Sequence, residues 1–367
     1  MIDVVVVGAG FAGTLLAYQL HKIGISVALI ERAKRYPDVL RAEKIEPDQA
    51  ERLRRLGAMD YRIPDAPPLG NTINYRSGGR SSFDTVEQYG ISYHETVNSM
   101  RDGLLGGIPV VFDEIARIET SEQTQLAHTR SGQSIECRLI VMATGGSEKI
   151  LQQAGVVRRS VPSLKSLTVG FDIKSTARVP PAFSGFNYFL DKRSEGVDYV
   201  TFFRVGERMR TNVFTQWEPR TPALKHMSAN PRESLLVHFP DLEAQIGSFE
   251  VTGKVQFFKT AFYRLGNVKV PGVVAIGDEY QSVCPATGTG LSKLSTDVEV
   301  LATECIPRWL STQGMGKNKI AEYYDAPAKI AVDNDSLDRW RYYRDRLSPT
   351  WKVQLYRLEH LAWRMRS

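Results

Sequence analysis

The sequence predicts an α/β protein in which a βαβ domain is interrupted by an inserted antiparallel β-sheet and followed by C-terminal helices. Three observations carry this prediction. VVVVGAGFAG at 4–13 joins a β-branched run to a helical pattern. Strand-like pieces separated by turns fill residues 166–265. GVVAIGDE at 272–279 then returns to the pattern of a strand buried on both faces. The first domain is therefore assembled from segments that lie far apart in the chain.

The individual elements follow from their local patterns. Residues 4–7, a helix over 11–23 and a strand over 26–31 make one βαβ unit. The remaining elements are, in chain order, a helix over 46–57, strands within 71–86, a helix over 95–105, strands over 110–120 and 137–146, antiparallel strands over 166–265 with a turn at 205–208, a buried strand over 272–279, a helix from about Gly288 to Leu301, and helices in the last part of the chain.

Composition narrows the class of protein. The chain has 367 residues, 42% of them hydrophobic, which is enough for one large domain or two. Its three cysteines have neither a disulfide pattern nor metal-ligand spacing, which indicates a reducing compartment. No apolar stretch approaches the ~20 residues that cross a bilayer, so we expect a cytoplasmic protein. The net charge of +6 suits an anionic cofactor or substrate, or an acidic partner.

The first glycine-rich loop predicts a dinucleotide site. Gly8, Gly10 and Gly13 form G-x-G-x-x-G between a strand and a helix, so the backbone can approach a pyrophosphate at the helix N-terminus. Glu31 ends the next strand, where its carboxylate can bind both hydroxyls of an adenosine ribose and would repel a 2′-phosphate. This favours FAD or NAD over NADP. The alternative is a glycine turn in an ordinary βαβ unit.

A second loop, AIGDEYQSVCPATGTG at 275–290, favours FAD. A nicotinamide cofactor needs only the first loop, whereas FAD extends beyond its pyrophosphate into a ribityl chain and a flavin ring. Asp278 can accept hydrogen bonds from ribityl hydroxyls, and the loop through Gly288 and Gly290 can donate to the ring. The helix that follows would direct its positive end at the flavin. The alternative is a plain strand–turn–helix.

Both loops resemble those of a known family. The spacing G-D-x(6)-P-x-x-G-x-G-x(6)-D is met by Gly277, Asp278, Pro285, Gly288, Gly290 and Asp297. Together with the first loop, it resembles single-component FAD-dependent monooxygenases of the p-hydroxybenzoate hydroxylase type. LRAEKIEPDQAERLRRLG at 40–57 is similar to a family segment in which an arginine touches FAD, and Arg41 matches that arginine. The resemblance extends from residue 1 to about residue 305.

The resemblance implies a Rossmann-like, glutathione-reductase-like FAD-binding domain with an inserted substrate domain. The units that we expect are the FAD-binding domain over 1–70, 93–165 and 269–310, the substrate domain over 71–92 and 166–268, and a helical segment over 311–367. The expected FAD-binding residues are Gly8, Gly10, Phe11, Ala12, Gly13, Glu31, Arg32, Arg41, Ile115, Gly145, Asp278, Pro285, Gly288, Gly290 and Leu291. No catalytic side chain can be assigned, and no metal site is expected.

The resemblance also implies an activity. NADPH or NADH would reduce FAD, O₂ would form a flavin C4a-hydroperoxide, and one oxygen atom would pass to an aromatic or polycyclic small molecule. One segment departs from the family, because MATGGSE places Thr144 and Glu148 where the family has aspartate and serine. This departure favours an alternative, a dehydrogenase or a reductase similar to geranylgeranyl reductases. A third hypothesis is a flavoprotein that has lost turnover and serves as a binding module.

The C-terminal segment 337–367 is basic and aromatic, with eight Lys/Arg and three Trp. Leu355, Leu358 and Leu361 lie on one helical face. The segment could contact a membrane surface or an acidic carrier protein. The alternative is a terminal helix packed on the FAD domain with a solvated basic face. We do not expect nucleic acid as a partner.

Overall fold

The computed structural model describes residues 1–41, 43–65, 67–146, 149–176, 183–194 and 196–366. The strands are β1 (Ile2–Val7), β2 (Val27–Ile30), β3 (Lys44–Ile45), β4 (Thr72–Arg76), β5 (Arg80–Asp84), β6 (Tyr89–Gly90), β7 (Val110–Val111), β8 (Ile115–Glu119), β9 (Gln125–Thr129), β10 (Ser134–Met142), β11 (Val157–Ser175), β12 (Gly185–Ser194), β13 (Val197–Val205), β14 (Arg208–Thr215), β15 (Phe249–Gly266) and β16 (Val273–Ala275).

The helices are α1 (Phe11–Lys22), α2 (Pro47–Arg55), α3 (Tyr93–Leu104), α4 (Lys149–Gln153), α5 (Pro222–Ala229), α6 (Pro231–His238), α7 (Leu242–Ile246), α8 (Gly290–Glu299), α9 (Ile306–Leu310), α10 (Lys317–Tyr324), α11 (Pro327–Leu347) and α12 (Thr350–Arg366). A π-helical segment, Val300–Cys305, continues α8 into α9.

The first sheet gathers both glycine loops at one edge. Its order is β7-β2-β1-β10-β9-β8, and β16 pairs with β10. Strands β2, β1, β10 and β16 are parallel, with Val7 opposite Ile30 and Met142, and Met142 opposite Ala275. Their carboxyl ends therefore lie together, where a doubly wound sheet binds its ligand. The expected Rossmann-like architecture is confirmed.

The second sheet has the order β15-β11-β14-β13-β12-β4-β5. All its pairings are antiparallel except that of β4 with β12. The predicted turn at 205–208 is confirmed, because Val205 pairs with Arg208 across it. One face is covered by α5, α6 and α7, which bury Met227 and Leu235 against strand residues that include Phe171.

The prediction of strands alone over 166–265 was wrong for its middle part, since α5, α6 and α7 lie there. The start signals are present in the sequence: Pro222 and Pro231 each open a helix, and the Thr221 hydroxyl caps the first by accepting a hydrogen bond from the Leu224 amide. Each of these helices has eight residues or fewer. Such short segments show little of the period by which a helix is recognised.

Strands β11 and β15, which pair with each other, together contribute to both cores. The β11 residues Val169 and Phe171 belong to the core of the second sheet, whereas Tyr263 and Leu265, near the end of β15, belong to the core of the first sheet. The expected boundary at residue 165 therefore falls inside a continuous strand. The division of the chain into units stays a prediction.

The C-terminal helices pack on the second glycine loop and on β11. Trp340 in α11 and Trp363 in α12 share a buried cluster with Phe262 and Cys284. Within the described ranges, no helix combines the length and the apolar character that crossing a membrane requires.

Candidate functional site

In the first glycine loop, Gly8 and Gly13 are packed tightly against the protein backbone, whereas Gly10 has free space beside it. A Cβ atom on Gly13 would lie 1.9 Å from the Gly8 carbonyl oxygen, and one on Gly8, whose φ is +100°, would lie 2.6 Å from that of Ala143. In the part of the chain that the structure describes, a Cβ on Gly10 would meet only the Tyr36 ring, at 3.8 Å. No acidic residue lies in the first turn of α1. These features fit a pyrophosphate at this helix N-terminus.

Glu31 is fixed in place at the end of β2. Its carboxylate accepts hydrogen bonds from the backbone amides of Ala9 (2.7 Å) and Ala33 (2.9 Å). Arg101 in α3 lies 3.2 Å from the same carboxylate and donates to the Ala9 carbonyl at 2.6 Å. Burial lowers the pKa of Arg101, and Glu31 opposes that shift. Sequence reasoning missed Arg101, since it lies 70 residues beyond Glu31 and no motif links the two.

In the second loop, Asp278 faces Arg41. Arg41 Nη1 lies 3.4 Å from Asp278 Oδ2, and the guanidinium stands over the Phe258 ring at 4.6 Å. Desolvation raises the pKa of Asp278, while Arg41 and Lys293 oppose the shift. The Asp278 side chain is 41% exposed, so it can still accept hydrogen bonds from a ligand.

Two glycines of the second loop, Gly288 and Gly290, have free space beside them. A Cβ on Gly288, whose φ is +66°, or on Gly290 would meet no atom of the described residues within 4 Å. The loop therefore offers free space at the start of α8. This is what a flavin ring held by the loop requires.

A cluster of four buried charges, Lys293, Asp297, Lys329 and Asp333, lies beneath this loop. Each lysine lies 3.0–3.2 Å from both aspartates. Gly277 is tied to the cluster twice: its amide donates to Asp297 (2.8 Å) and its carbonyl accepts from Lys293 (3.1 Å). Burial alone would raise the pKa of Asp297, but the two lysines lower it to about 2. The cluster thus fixes the Gly277–Asp278 turn from below.

Glu279 joins the second loop to the turn after β10. Its carboxylate accepts hydrogen bonds from the Thr144 hydroxyl and from the Gly146 amide, the latter at 2.8 Å. Gly145 between them has a φ of +75°. A carboxyl group is therefore present beside Thr144 even though the family's aspartate is absent. The other departure, Glu148, lies outside the described residues.

The predicted site residues fall into two groups. The structure brings the glycines of both loops, Glu31, Arg41, Gly145 and Asp278 to the carboxyl edge of the first sheet. Phe11 and Leu291 are buried in the first turns of α1 and α8, and Arg32 is exposed beside Glu31. Ile115 differs, because its side chain is buried in the core where β8 begins. The assignment of these residues to FAD stays a prediction.

One face of the inserted sheet meets the second loop. Cys284 lies 3.2 Å from the Ser166 hydroxyl, and the Tyr199 hydroxyl donates to the Ala286 carbonyl at 2.8 Å. Farther along the same face, a Cβ on Gly170 would lie 2.9 Å from Leu40. The sheet is therefore held both by the second loop and by the segment that carries Arg41.

Buried polar groups lie on this face between the two contacts. Among the described residues, Thr168 Oγ1 and Asn212 Oδ1 have no hydrogen-bond partner, although the residues are only 3% and 6% exposed. The Asn212 amide donates to Glu43 at 3.2 Å, and Arg210 donates to Glu43 at 2.9 Å. Burial raises the pKa of Glu43, and Arg210 and Asn212 oppose that shift. Buried polar atoms without a hydrogen-bond partner are uncommon and call for an explanation, of which a bound ligand or water is one.

Comparisons with known proteins agree with this geometry. A family model described as "FAD binding domain" matches residues 1–306. Squalene epoxidase erg1 of Aspergillus fumigatus is 22% identical over 364 residues, covering 90% of this chain and 73% of the relative. Digeranylgeranylglycerophospholipid reductase of Methanococcus vannielii is 22% identical over 334 residues, covering 88% of this chain and 80% of the relative.

Among solved structures, the flavin-dependent brominase Bmp2 superposes with a TM-score of 0.72 at 17% identity, covering 98% of this chain and 93% of the brominase. At that identity the likeness concerns the fold alone. The family match, in contrast, covers most of the chain and includes both glycine loops. The chain belongs to the FAD binding domain family and is an FAD-dependent oxidoreductase.

Proposed function

We propose that the protein is a monooxygenase that inserts one oxygen atom from O₂ into an aromatic or polycyclic small molecule, with NADPH or NADH as reductant. The observation that carries the proposal is the contact of the second glycine loop with one face of the inserted sheet. On this face, two buried polar atoms have no hydrogen-bond partner among the described residues. A substrate on that face would lie against the loop that we expect to hold the flavin. The name of the A. fumigatus relative, an epoxidase, supports oxygen insertion.

The residues of both loops fit FAD. Glu31, oriented by Arg101, would bind the ribose hydroxyls, and the open backbone at Gly10 would face the pyrophosphate. Asp278 would accept hydrogen bonds from the ribityl chain, and the N-terminus of α8 would stabilise negative charge on the ring. Bound FAD supplies the redox chemistry, because its reduced form reacts with O₂ and transfers one oxygen atom.

The sheet face would bind and orient the substrate. Thr168 Oγ1 would donate or accept a hydrogen bond with a polar group of the substrate, and Asn212 Oδ1 would accept one. Phe258 offers an apolar ring. Buried Phe214 and Tyr199 exclude water from the neighbouring part of the face. We therefore expect a substrate that carries both an electron-rich apolar part and at least one hydroxyl or carbonyl group.

The test of this arrangement is a pair of isosteric variants. Thr168→Val should raise KM for a confirmed substrate roughly tenfold while FAD content is unchanged, because it removes a hydrogen bond of ~1–1.5 kcal/mol to a buried group. Thr211→Val is the matched control. Thr211 is equally buried and likewise unpartnered among the described residues, but it alternates with Asn212 and so belongs to the opposite face. Equal effects on KM would contradict the assignment of the substrate to this face.

A second candidate is a reductase that does not insert oxygen. The reductase of M. vannielii favours it, and so does Thr144 at the family's aspartate position. Oxygen uptake separates the two functions. With NADPH or NADH and a library of aromatic, polycyclic and alkene compounds, a monooxygenase consumes O₂ in proportion to the organic product. A reductase forms its product under argon as well.

The cysteines support a cytoplasmic location for the protein. Cys137, Cys284 and Cys305 are all free and buried, as expected for a protein in a reducing compartment. Fractionation of cells that express the chain, with markers for each compartment, would test the location. Recovery of the protein in an oxidising compartment would contradict it.

A further inference from the structure

The inner face of helix α12 is anchored to the rest of the molecule. Trp363 packs edge-on against Phe262, with ring centroids 5.6 Å apart. Glu359 accepts a hydrogen bond from the Ser163 amide at 3.2 Å. The Arg344 guanidinium lies 4.4 Å from the centre of the Tyr356 ring. The helix is therefore a fixed part of the fold, and the orientation of its other face is defined.

The outer face of α12 carries an apolar stripe. Its members lie on one side of the helix, and their exposed fractions run from 54% to 88%. They are Trp351, Leu355, Leu358, Leu361 and Met365. At 1.5 Å per residue, the stripe is about 21 Å long. The exposed side chain of Gln354 lies on the same face, but five large apolar side chains in one row are unusual on a surface that faces only water.

Exposed cations border this stripe on both sides. At 100° per residue, Lys352 lies on one side of the stripe, and Arg357 and Arg364 lie on the other. Within the described ranges, none of the three is ion-paired with a carboxylate, and Lys352 stands over the Trp351 ring at 5.4 Å. An apolar row between two basic borders is the pattern of a helix that lies in the plane of an anionic membrane surface.

We propose that α12 docks the protein reversibly on an anionic phospholipid surface. The stripe would enter the boundary between headgroups and acyl chains, while the three cations would contact lipid phosphates on both sides. A second copy of the chain fits less well, because a symmetric contact between two such helices would bring the same cations together. An anionic membrane surface can bury the apolar stripe and contact the cations on both of its sides at the same time.

The experiment uses the full-length protein with FAD bound and vesicles of phosphatidylcholine with and without phosphatidylglycerol. We expect sedimentation with the anionic vesicles, at least tenfold weaker binding to phosphatidylcholine alone, and release at high salt. The fluorescence of Trp351 should shift to shorter wavelength on binding, and Trp351→Phe should abolish the shift. Trp351 is 61% exposed, whereas the other four tryptophans are at most 8% exposed.

Two variants and two controls make the proposal falsifiable. Leu355→Gln with Leu358→Gln, and separately Lys352→Gln with Arg357→Gln and Arg364→Gln, should each weaken vesicle binding at least tenfold with unchanged FAD content. The controls are Val237→Gln, an exposed apolar residue of α6, and Lys225→Gln, an exposed lysine of α5. Two results would overturn the proposal: no binding to anionic vesicles, or a dimer in solution that the leucine variant dissociates.

Discussion

The carboxylate of Glu279 accepts a 2.8 Å hydrogen bond from the backbone amide of Gly146. This contact ties the second glycine loop to the turn after β10, 133 residues earlier in the chain. The Thr144 hydroxyl donates to the same carboxylate. The absence of an aspartate at position 144 therefore does not leave the turn without a carboxyl group.

Thr144→Asp should weaken FAD binding, although it restores the family's residue. The new carboxylate would lie against Glu279, and the repulsion between like charges should cost on the order of 1–3 kcal/mol after screening. Adding Glu279→Gln should restore most of the affinity. Titration of the FAD-free proteins, followed by flavin fluorescence, measures both effects. A double variant that binds FAD no better than Thr144→Asp alone would contradict this account.

Glu31→Ala should weaken FAD binding by about 1–3 kcal/mol, because a buried ribose would lose charge-assisted hydrogen bonds. Arg101→Met should also weaken it, since Arg101 lies 3.2 Å from Glu31 and orients its carboxylate. The matched control is Arg35→Met. Arg35 forms an ion pair with Asp102 at the surface, where each of the two side chains is 63% exposed. The same titration applies, and a loss in the control as large as that in Arg101→Met would refute the orienting role.

Gly290→Leu should remove FAD from the protein without unfolding it. A Cβ atom at this position meets no atom of the described residues within 4 Å, so a leucine side chain would occupy the space that we assign to the flavin. Gly70→Leu is the control, because a Cβ on Gly70 also meets no described atom within 4 Å but Gly70 lies outside both loops. Flavin content per protein and the unfolding midpoint report the two effects. Full flavin content and an unchanged absorbance spectrum in Gly290→Leu would show that this loop does not contact the flavin.

The two glycine loops could be predicted from sequence because each is a local pattern with a fixed spacing. Residues Arg101 and Glu279 could not, since their roles depend on contacts across 70 and 133 residues. The buried partners Lys329 and Asp333 were missed for the same reason. They come from α11, which was predicted only as part of a helical segment, and nothing local shows that they meet Asp297. Tertiary packing alone brings these groups together.

Asp198 should make the stability of the protein depend on pH. Burial raises the pKa of Asp198 to about 6, and Arg346, at 3.0 Å, opposes the shift. The pKa of Asp198 in the folded protein lies above its unfolded value of ~3.9. The contribution of Asp198 to the free energy of unfolding is therefore fully present below pH ~3.9 and is lost as the pH rises through about 6. Between pH 5 and pH 7, the free energy of unfolding of Asp198→Asn should therefore fall by about 1 kcal/mol less than that of the unsubstituted protein.

Urea unfolding at both pH values measures this difference. Asp325→Asn serves as the control, because Asp325 is 60% exposed and its ion pair with Lys269 lies at the surface. It should retain the pH dependence of the unsubstituted protein. If Asp198→Asn also retains that dependence, the proposed titration of Asp198 is wrong.

The most direct test of oxygen insertion is labelling with ¹⁸O₂. The protein with bound FAD is incubated with NADPH or NADH and the compound library under ¹⁸O₂, and the products are identified by mass spectrometry. Our account predicts a product that carries one ¹⁸O atom and forms only in the presence of O₂. A product that contains no ¹⁸O and has gained two hydrogen atoms, formed equally well without O₂, would contradict it.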